Sequence, residues 1–226
     1  MSNRKETNKL IKNSKNKELR SAFDRFASNI KFYTLNNNIN TFAITSGLKD
    51  EGKTTVAINL AMSLTSNNAK CLLIDADIHH KSLSAVYSNP KSIKLYDVFS
   101  GHRRIEEAIV HTDINNMYFL DCASGVASIP ALISSPEFKD IWNTLKNSFD
   151  FVILDTPPVL PCVETTMLCK LAGACFQIVR QNKSKEEEVL QTFDQLKTYG
   201  ANVIGSVLTF STSTEYKYYS SYSYYN

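Results

Sequence analysis

A doubly wound, mostly parallel α/β sheet is predicted by three observations. Four short apolar runs, Thr41 to Ser46, Cys71 to Ala76, Phe151 to Leu154 and Ala174 to Val179, are each followed by a helical pattern, and that alternation builds parallel βαβ units. The runs are almost continuously apolar, as in CLLI and FVIL, which marks strands covered on both faces. Between the first run and its helix lies a glycine-bounded segment, G-x-x-x-x-G-K-T, of the kind that joins a strand to a helix around a phosphate.

The elements follow in order. A helix is expected over about Lys17 to Leu35, then the strand TFAITS, the glycine segment and the helix TTVAINLAMSL. Met117 to Asp121 and Val203 to Leu208 are two further candidate strands. Glu137 to Lys146 carries Phe138, Ile141, Trp142 and Leu145 on one helical face, and Lys185 to Tyr199 carries Val189, Phe193 and Leu196 on another. No internal repeat is evident. The expected organisation is a basic flexible arm over 1–16, a single folded domain over 17–210 and a disordered tail over 211–226. The tail, STSTEYKYYSSYSYYN, holds six of the eleven tyrosines and no aliphatic residue, so it has no hydrophobic face at period 2 or 3.6.

Composition narrows the class. Of 226 residues, 43% are hydrophobic and 21% charged, and only 7 are Gly and 6 Pro, which excludes collagen-like or wholly disordered chains and is enough for a core without staples. The five cysteines form no C-x-x-C and fall mostly in apolar runs, as buried thiols of a reducing cytoplasm do. No apolar stretch approaches the ~20 residues that cross a bilayer, and MSNRKETNKL has no hydrophobic centre of a signal peptide. The net charge of +3 comes from the arm: residues 1–20 carry seven Lys/Arg against two Glu. Such an arm is solvated charge or a contact to an acidic partner or anionic lipid.

Gly47-Leu48-Lys49-Asp50-Glu51-Gly52-Lys53-Thr54 is the strongest signal in the chain. Its glycines let backbone N–H groups turn inward around phosphate oxygens, and the following helix offers its N-terminal dipole. Lys53 is expected to reach the β- and γ-phosphates of a nucleotide, and the Thr54 hydroxyl to ligate Mg²⁺. The expected nucleotide-binding set is Gly47, Asp50, Glu51, Gly52, Lys53, Thr54 and Thr55. Three aspartates accompany it. Asp75 and Asp77 end the second strand two residues apart, on one side of an extended chain, and Asp155 ends FVILD before Thr156-Pro157-Pro158, a Walker B arrangement. One strand-terminal aspartate alone is usually a helix cap. Three beside a phosphate loop, at the carboxyl ends of parallel strands, point to a nucleotide-metal site. His79 and His80 are not read as metal ligands, because neighbours in an extended chain face opposite ways and no third ligand has suitable spacing.

In this order the motifs resemble the MinD/ParA-like branch of P-loop proteins and, within it, the bacterial tyrosine kinases of capsule and exopolysaccharide synthesis. The resemblance runs from about Ser21 to Leu208 and rests on E-G-K-T-T at Glu51 to Thr55, N-L-A at Asn59 to Ala61, L-L-I-D-A-D at Leu72 to Asp77 and D-F-V-I-L-D-T-P-P at Asp150 to Pro158. MinD and ParA proteins carry an additional lysine five residues before the loop lysine; that position here is Leu48, with Lys49 one place off. The kinases carry a C-terminal tyrosine cluster as phosphate acceptor, which Tyr216, Tyr218, Tyr219, Tyr222, Tyr224 and Tyr225 match. Departures occur at His79, where the family has Arg; at Ser21, Asp24 and Ala27, where its ring-forming helix has Glu, Arg and Arg; at Leu208-Thr209, in place of Leu-Asn; and at Glu164, near the place of an Asp.

The resemblance implies an ATP- and Mg²⁺-dependent protein tyrosine autokinase acting on capsular or exopolysaccharide polymerisation and export. Lys53, Asp75, Asp77 and Asp155 are its expected catalytic residues and Thr54, Asp77 and Asp155 its metal ligands. It further implies a transmembrane activator of the polysaccharide co-polymerase type, tyrosine substrates including the chain's own tail, a cognate tyrosine phosphatase and no nucleic acid. Self-association is expected to be weak or activator-dependent, and the location cytoplasmic, at the inner face of the membrane through the partner. The alternatives are a nucleotide-dependent switch ATPase docking to a membrane partner, and a scaffold with an inactive nucleotide site.

Overall fold

A computed structural model of the protein describes residues 17–78, 83, 87, 93, 98–99, 103–122 and 128–211. The arm over 1–16, His79 and His80, and the tail tyrosines lie outside the described residues. Helix α1 spans Lys17–Asn37, β1 Thr41–Ser46, α2 Lys53–Leu64 and β2 Cys71–Asp75. They are followed by α3 Ile105–Ala108, β3 Val110–His111, β4 Met117–Asp121, α4 Ile129–Ser134 and α5 Pro136–Ser148. The chain continues with β5 Phe151–Asp155, α6 Thr165–Leu171, β6 Ala174–Arg180, α7 Glu186–Thr198 and β7 Val203–Thr209.

The strands form one sheet in the order β3-β4-β2-β5-β1-β6-β7. Every pairing is parallel except the two-residue β3 against β4. Alternate residues of the central strands enter two cores. Phe42, Ile44, Cys71, Leu73, Met117, Phe119, Phe151 and Ile153 pack against α1 and α2, through Ile30, Val56, Leu60 and Leu64. Ala43, Leu72, Ile74, Leu120, Val152 and Leu154 pack against α5, α6 and α7, through Trp142, Leu145, Cys169 and Leu196. This two-sided burial is the physical reason for the unbroken apolarity of these strands.

Helix starts follow local chemistry. Ser135 caps α5 by accepting from the Phe138 N–H at 3.2 Å, with Pro136 at the first helical position, where a missing N–H costs nothing. One expected face is corrected. On α7 the residue buried beside Leu196 is Thr192, while Phe193 is 37% exposed with the Lys197 ammonium 5.3 Å from its ring centroid. The phosphate loop passes so close above Thr192 that a Cβ on Gly47 would stand 2.6 Å from Thr192 Oγ1. An aromatic ring has no room there. The short β3, α3, α4 and α6 have too few residues to show a period and were not legible in the sequence.

Candidate active site

The strand parity that builds the cores also aims the carboxylates. Asp75, Asp121 and Asp155 end three adjacent strands, with Asp75 in register with both others, and each continues the series of side chains that meets α2. All three are buried, as is Asp77. The ladder extends one residue past the strands, with Ala76 N–H donating to Asp155 O at 2.9 Å and Cys122 N–H to Asp75 O at 3.0 Å, so their positions relative to one another are held by backbone. Asp77 N–H lies 3.3 Å from Asp75 Oδ1, which ties the turn that carries the second aspartate. Asp121 carries the same signal in the sequence, an apolar run ending in Asp, but no motif follows it to mark it.

The phosphate loop leaves β1 and enters α2 through two left-handed residues, Asp50 at φ 62° and Gly52 at φ 100°. Gly52 is the N-cap and has no side chain to cap the helix, so the N–H groups of its first turn remain available to an anion. Glu51 is 3% exposed and its carboxylate braces the loop: it accepts from Leu48 N–H at 2.8 Å and from the Ser184 hydroxyl. Three more bonds clamp the loop from behind. Thr209 Oγ1 donates to Glu51 O at 2.7 Å, Arg180 Nη1 to Asp50 O at 2.7 Å and Lys183 Nζ to Lys49 O at 2.9 Å. The turn between β6 and α7 and the end of β7 thus hold the loop's shape, a role no local motif announces.

Lys53 is 7% exposed at the first position of α2. Burial pushes the Asp155 carboxyl up from 3.8 to about 7; a hydrogen bond from Thr54 and the Lys53 charge oppose that, while Asp75 and Asp77 add to it. Asp155 Oδ1 is buried with no hydrogen-bond partner. A buried, orphaned carboxylate oxygen beside a threonine hydroxyl and a lysine suits a hydrated Mg²⁺, which keeps several waters and takes few protein ligands. Among the described residues no three His, Cys, Asp or Glu groups converge to cage an ion. The structure therefore brings together Gly47, Asp50, Glu51 and Gly52 on the loop, Lys53, Thr54 and Thr55 in the first turn of α2, and Asp75, Asp77 and Asp155 beside them. Tyr216, Tyr218, Tyr219, Tyr222, Tyr224 and Tyr225 lie outside the described residues.

All five cysteines are free, and only Cys122 is not buried. Loss of hydration raises the Cys71 and half-buried Cys122 thiols far above their ordinary value, helped by the Asp150 charge at the first and by Asp121 and Asp75 at the second, so neither is a thiolate at neutral pH.

A mostly parallel sheet with helices on both faces, a phosphate loop after the interior strand β1 and aspartates on nearby strand ends define a P-loop α/β protein of the MinD/ParA-like type. The family model described as an AAA domain matches residues 39–198, and the chain belongs to that family. The tyrosine-protein kinase CpsD of Streptococcus pneumoniae serotype 4 is 28% identical over 171 residues, covering 75% of each chain. The crystal structure of the chimerical protein CapA2B2 matches with a TM-score of 0.79 at 26% identity over 88% of each chain. The septum site-determining protein MinD of Pyrococcus horikoshii, complexed with Mg-ADP, matches with a TM-score of 0.60 at 27% identity, over 74% of this chain and 68% of that one. No helix among the described residues is long and apolar enough to cross a membrane.

Proposed function

We propose that the protein is an ATP-dependent protein-tyrosine kinase that phosphorylates its own tail and acts in capsular or exopolysaccharide synthesis. The observation that carries the nucleotide chemistry is the orphaned Asp155 oxygen beside Thr54 and Lys53, at the N-terminus of a helix whose first turn is open to an anion. The kinase reading is supported by the similarity to tyrosine-protein kinases, by the tyrosine-rich tail, and by Leu48 at the position of the MinD lysine.

Lys53 and the loop N–H groups bind the β- and γ-phosphates and offset charge that grows on them during transfer. Thr54, Asp155 and Asp77, directly or through water, would hold Mg²⁺, which supplies charge neutralisation on the phosphates when bound. Asp75 orients the acceptor tyrosine. The phenolic oxygen forms its bond to the γ-phosphorus as the bond to the β-γ bridging oxygen breaks, ADP leaves, and the phenolic proton passes to the Asp75 carboxylate. With a phenol near pKa ~10, the acceptor is neutral at pH 7 and needs that base.

A transmembrane activator is part of the reading. Tail tyrosines on a tether reach neighbouring sites, and an anchored partner would raise their local concentration. Each phosphate adds about −1.5 to −2 charges, so phosphorylated tails repel and the assembly loosens, and a tyrosine phosphatase would reverse it.

The test is incubation of purified protein with radiolabelled ATP and Mg²⁺, with and without the cytoplasmic segment of a candidate activator, followed by phosphosite mapping. Label on tail tyrosines, increased by the activator, is the expected result. Free phosphate without protein label would favour the switch ATPase, and binding without turnover the scaffold.

A further inference from the structure

The helix that the basic arm precedes and the strand that the tyrosine tail follows meet at one end of the sheet. Helix α1 runs against the parallel strands. Near its end the Tyr33 hydroxyl accepts from Asn202 Nδ2 at 3.1 Å, just before β7, and the Tyr33 ring lies 6.1 Å from that of Phe42, close to the start of β1. Earlier in the helix Phe26 packs edge-on against Phe176 of β6, with ring centroids 4.8 Å apart. From Phe26 back to Lys17 the helix rises about 13 Å, as far as β6 advances from Phe176 to Arg180. Arg180 is in register with Thr209, the last residue of β7. The first turn of α1, Lys17 to Arg20, thus stands level with the end of β7, and all four of its residues are exposed.

Charge gives the two segments a reason to meet. Residues 1–20 carry seven Lys/Arg against two Glu, a surplus of five positive charges. The tail over 211–226 balances Glu215 with Lys217 and is neutral in its side chains until phosphate is added. Six phosphotyrosines give it about −9 to −12 charges, each phosphate with oxygens that accept strongly from lysine and arginine. A bilayer has less to hold: among the basic side chains over 1–16 stand four Asn and only two aliphatic residues, Leu10 and Ile11. We propose that the basic arm is the docking element for the phosphorylated tail of the same chain. This inference rests on the reading that the tail is the phosphate acceptor. Both segments are tethered to one end of one domain, so the effective concentration of each for the other exceeds that of a second chain in solution. The arm offsets the charge of about three phosphates. A captured tail is withdrawn from neighbouring sites, and repulsion between tails begins with the phosphates beyond that number.

Fluorescence anisotropy of a labelled synthetic peptide of residues 211–226 bearing six phosphotyrosines, titrated with the full chain whose own tail is unphosphorylated, tests the assignment. The wild type is expected to bind it, more weakly as salt rises, and to leave the unphosphorylated peptide unbound at the same concentrations. A variant with Arg4→Gln, Lys5→Gln, Lys9→Gln, Lys12→Gln and Lys15→Gln is expected to bind the phosphopeptide at least about tenfold more weakly, the combined effect of several exposed charge pairs, with melting temperature and ATP affinity unchanged. Phosphorylating the chain's own tail beforehand with an unrelated tyrosine kinase is expected to weaken peptide binding to a similar degree. Equal binding by wild type and variant overturns the proposal and gives the phosphotyrosines to another surface. A chain that takes up the peptide equally well before and after phosphorylation of its own tail overturns capture within one chain. No binding of the phosphopeptide, with arm-dependent binding of phosphatidylglycerol vesicles or without it, overturns the proposal as well. Because the peptide is synthetic, these outcomes do not depend on the chain's own kinase activity, whose failure the radiolabel assay reads separately.

Discussion

Lys53 is the single buried cation among the described residues, and it lies within the electrostatic reach of Asp155. Removing its charge leaves the helix in place and the site without its main attraction for phosphate. Lys53→Met and Asp75→Asn are each expected to lower tyrosine phosphorylation at least a hundredfold with an unchanged circular dichroism spectrum; most of the activity surviving in either variant would remove the mechanism. Asp155 carries a pH prediction. Its pKa is raised in the fold, from 3.8 to about 7, so below pH 4 the group is protonated in both the folded and unfolded chain and has no effect. Between pH 4 and 7 the unfolded chain ionises it and the fold does not, so stability without Mg²⁺ falls as pH rises and levels off above 7, by on the order of 4 kcal/mol. Thermal melts in chelator at pH 5 and pH 8 should show this loss, and Asp155→Asn should abolish most of it. Added Mg²⁺-nucleotide should stabilise the wild type more at pH 8 than at pH 6, because the ion displaces a proton. The residue types were legible, since Lys53, Thr54 and the Walker B aspartate sit in local motifs. The alignment of Asp121 with Asp75 and the bracing role of Glu51 were not, because both depend on neighbours far along the chain: Asp75 on the adjacent strand for one, Ser184 for the other.

At the scale of elements, α7 is the counterpart that shapes the phosphate loop. Its Thr192 hydroxyl donates to Glu188 O at 2.6 Å and stands where a Cβ on Gly47 would fall. Gly47→Ala therefore forces either the loop or the helix to move. We expect it to cost about 1–3 kcal/mol, the range for overpacking a tight contact, and to weaken nucleotide binding. Thr192→Ala in the same chain should recover a large part of both losses, which a double-mutant cycle of melts and titrations would measure. Additive effects would show that the two do not touch in solution. The sequence showed Gly47 as half of a motif and α7 as an amphipathic helix. That the helix lies on the loop, with a small polar residue at the contact, required the packed structure.

For the whole molecule, the position of the last strand matters. β7 is an edge strand, and its final residue Thr209 is bonded to the phosphate loop, so the end of this strand lies beside the site. Deleting residues 212–226 is expected to leave the melting temperature and nucleotide affinity within error while eliminating the principal phosphoacceptors, since that segment has no core-forming side chains. Loss of ATP affinity on truncation would make the tail part of the site. Consecutive residues suffice for the α/β class, the strands of the sheet interior and the loop with its lysine and threonine, because apolar runs buried on both sides and a strand-loop-helix phosphate cradle are local patterns. The tertiary structure alone decided the strand order, the alignment of Asp75, Asp121 and Asp155 across three strands, and the clamp of Arg180, Lys183, Ser184 and Thr209 behind the loop. Each of these joins residues separated by tens to more than a hundred positions. Such a meeting is set by how the sheet packs its helices, and no spacing along the chain records it.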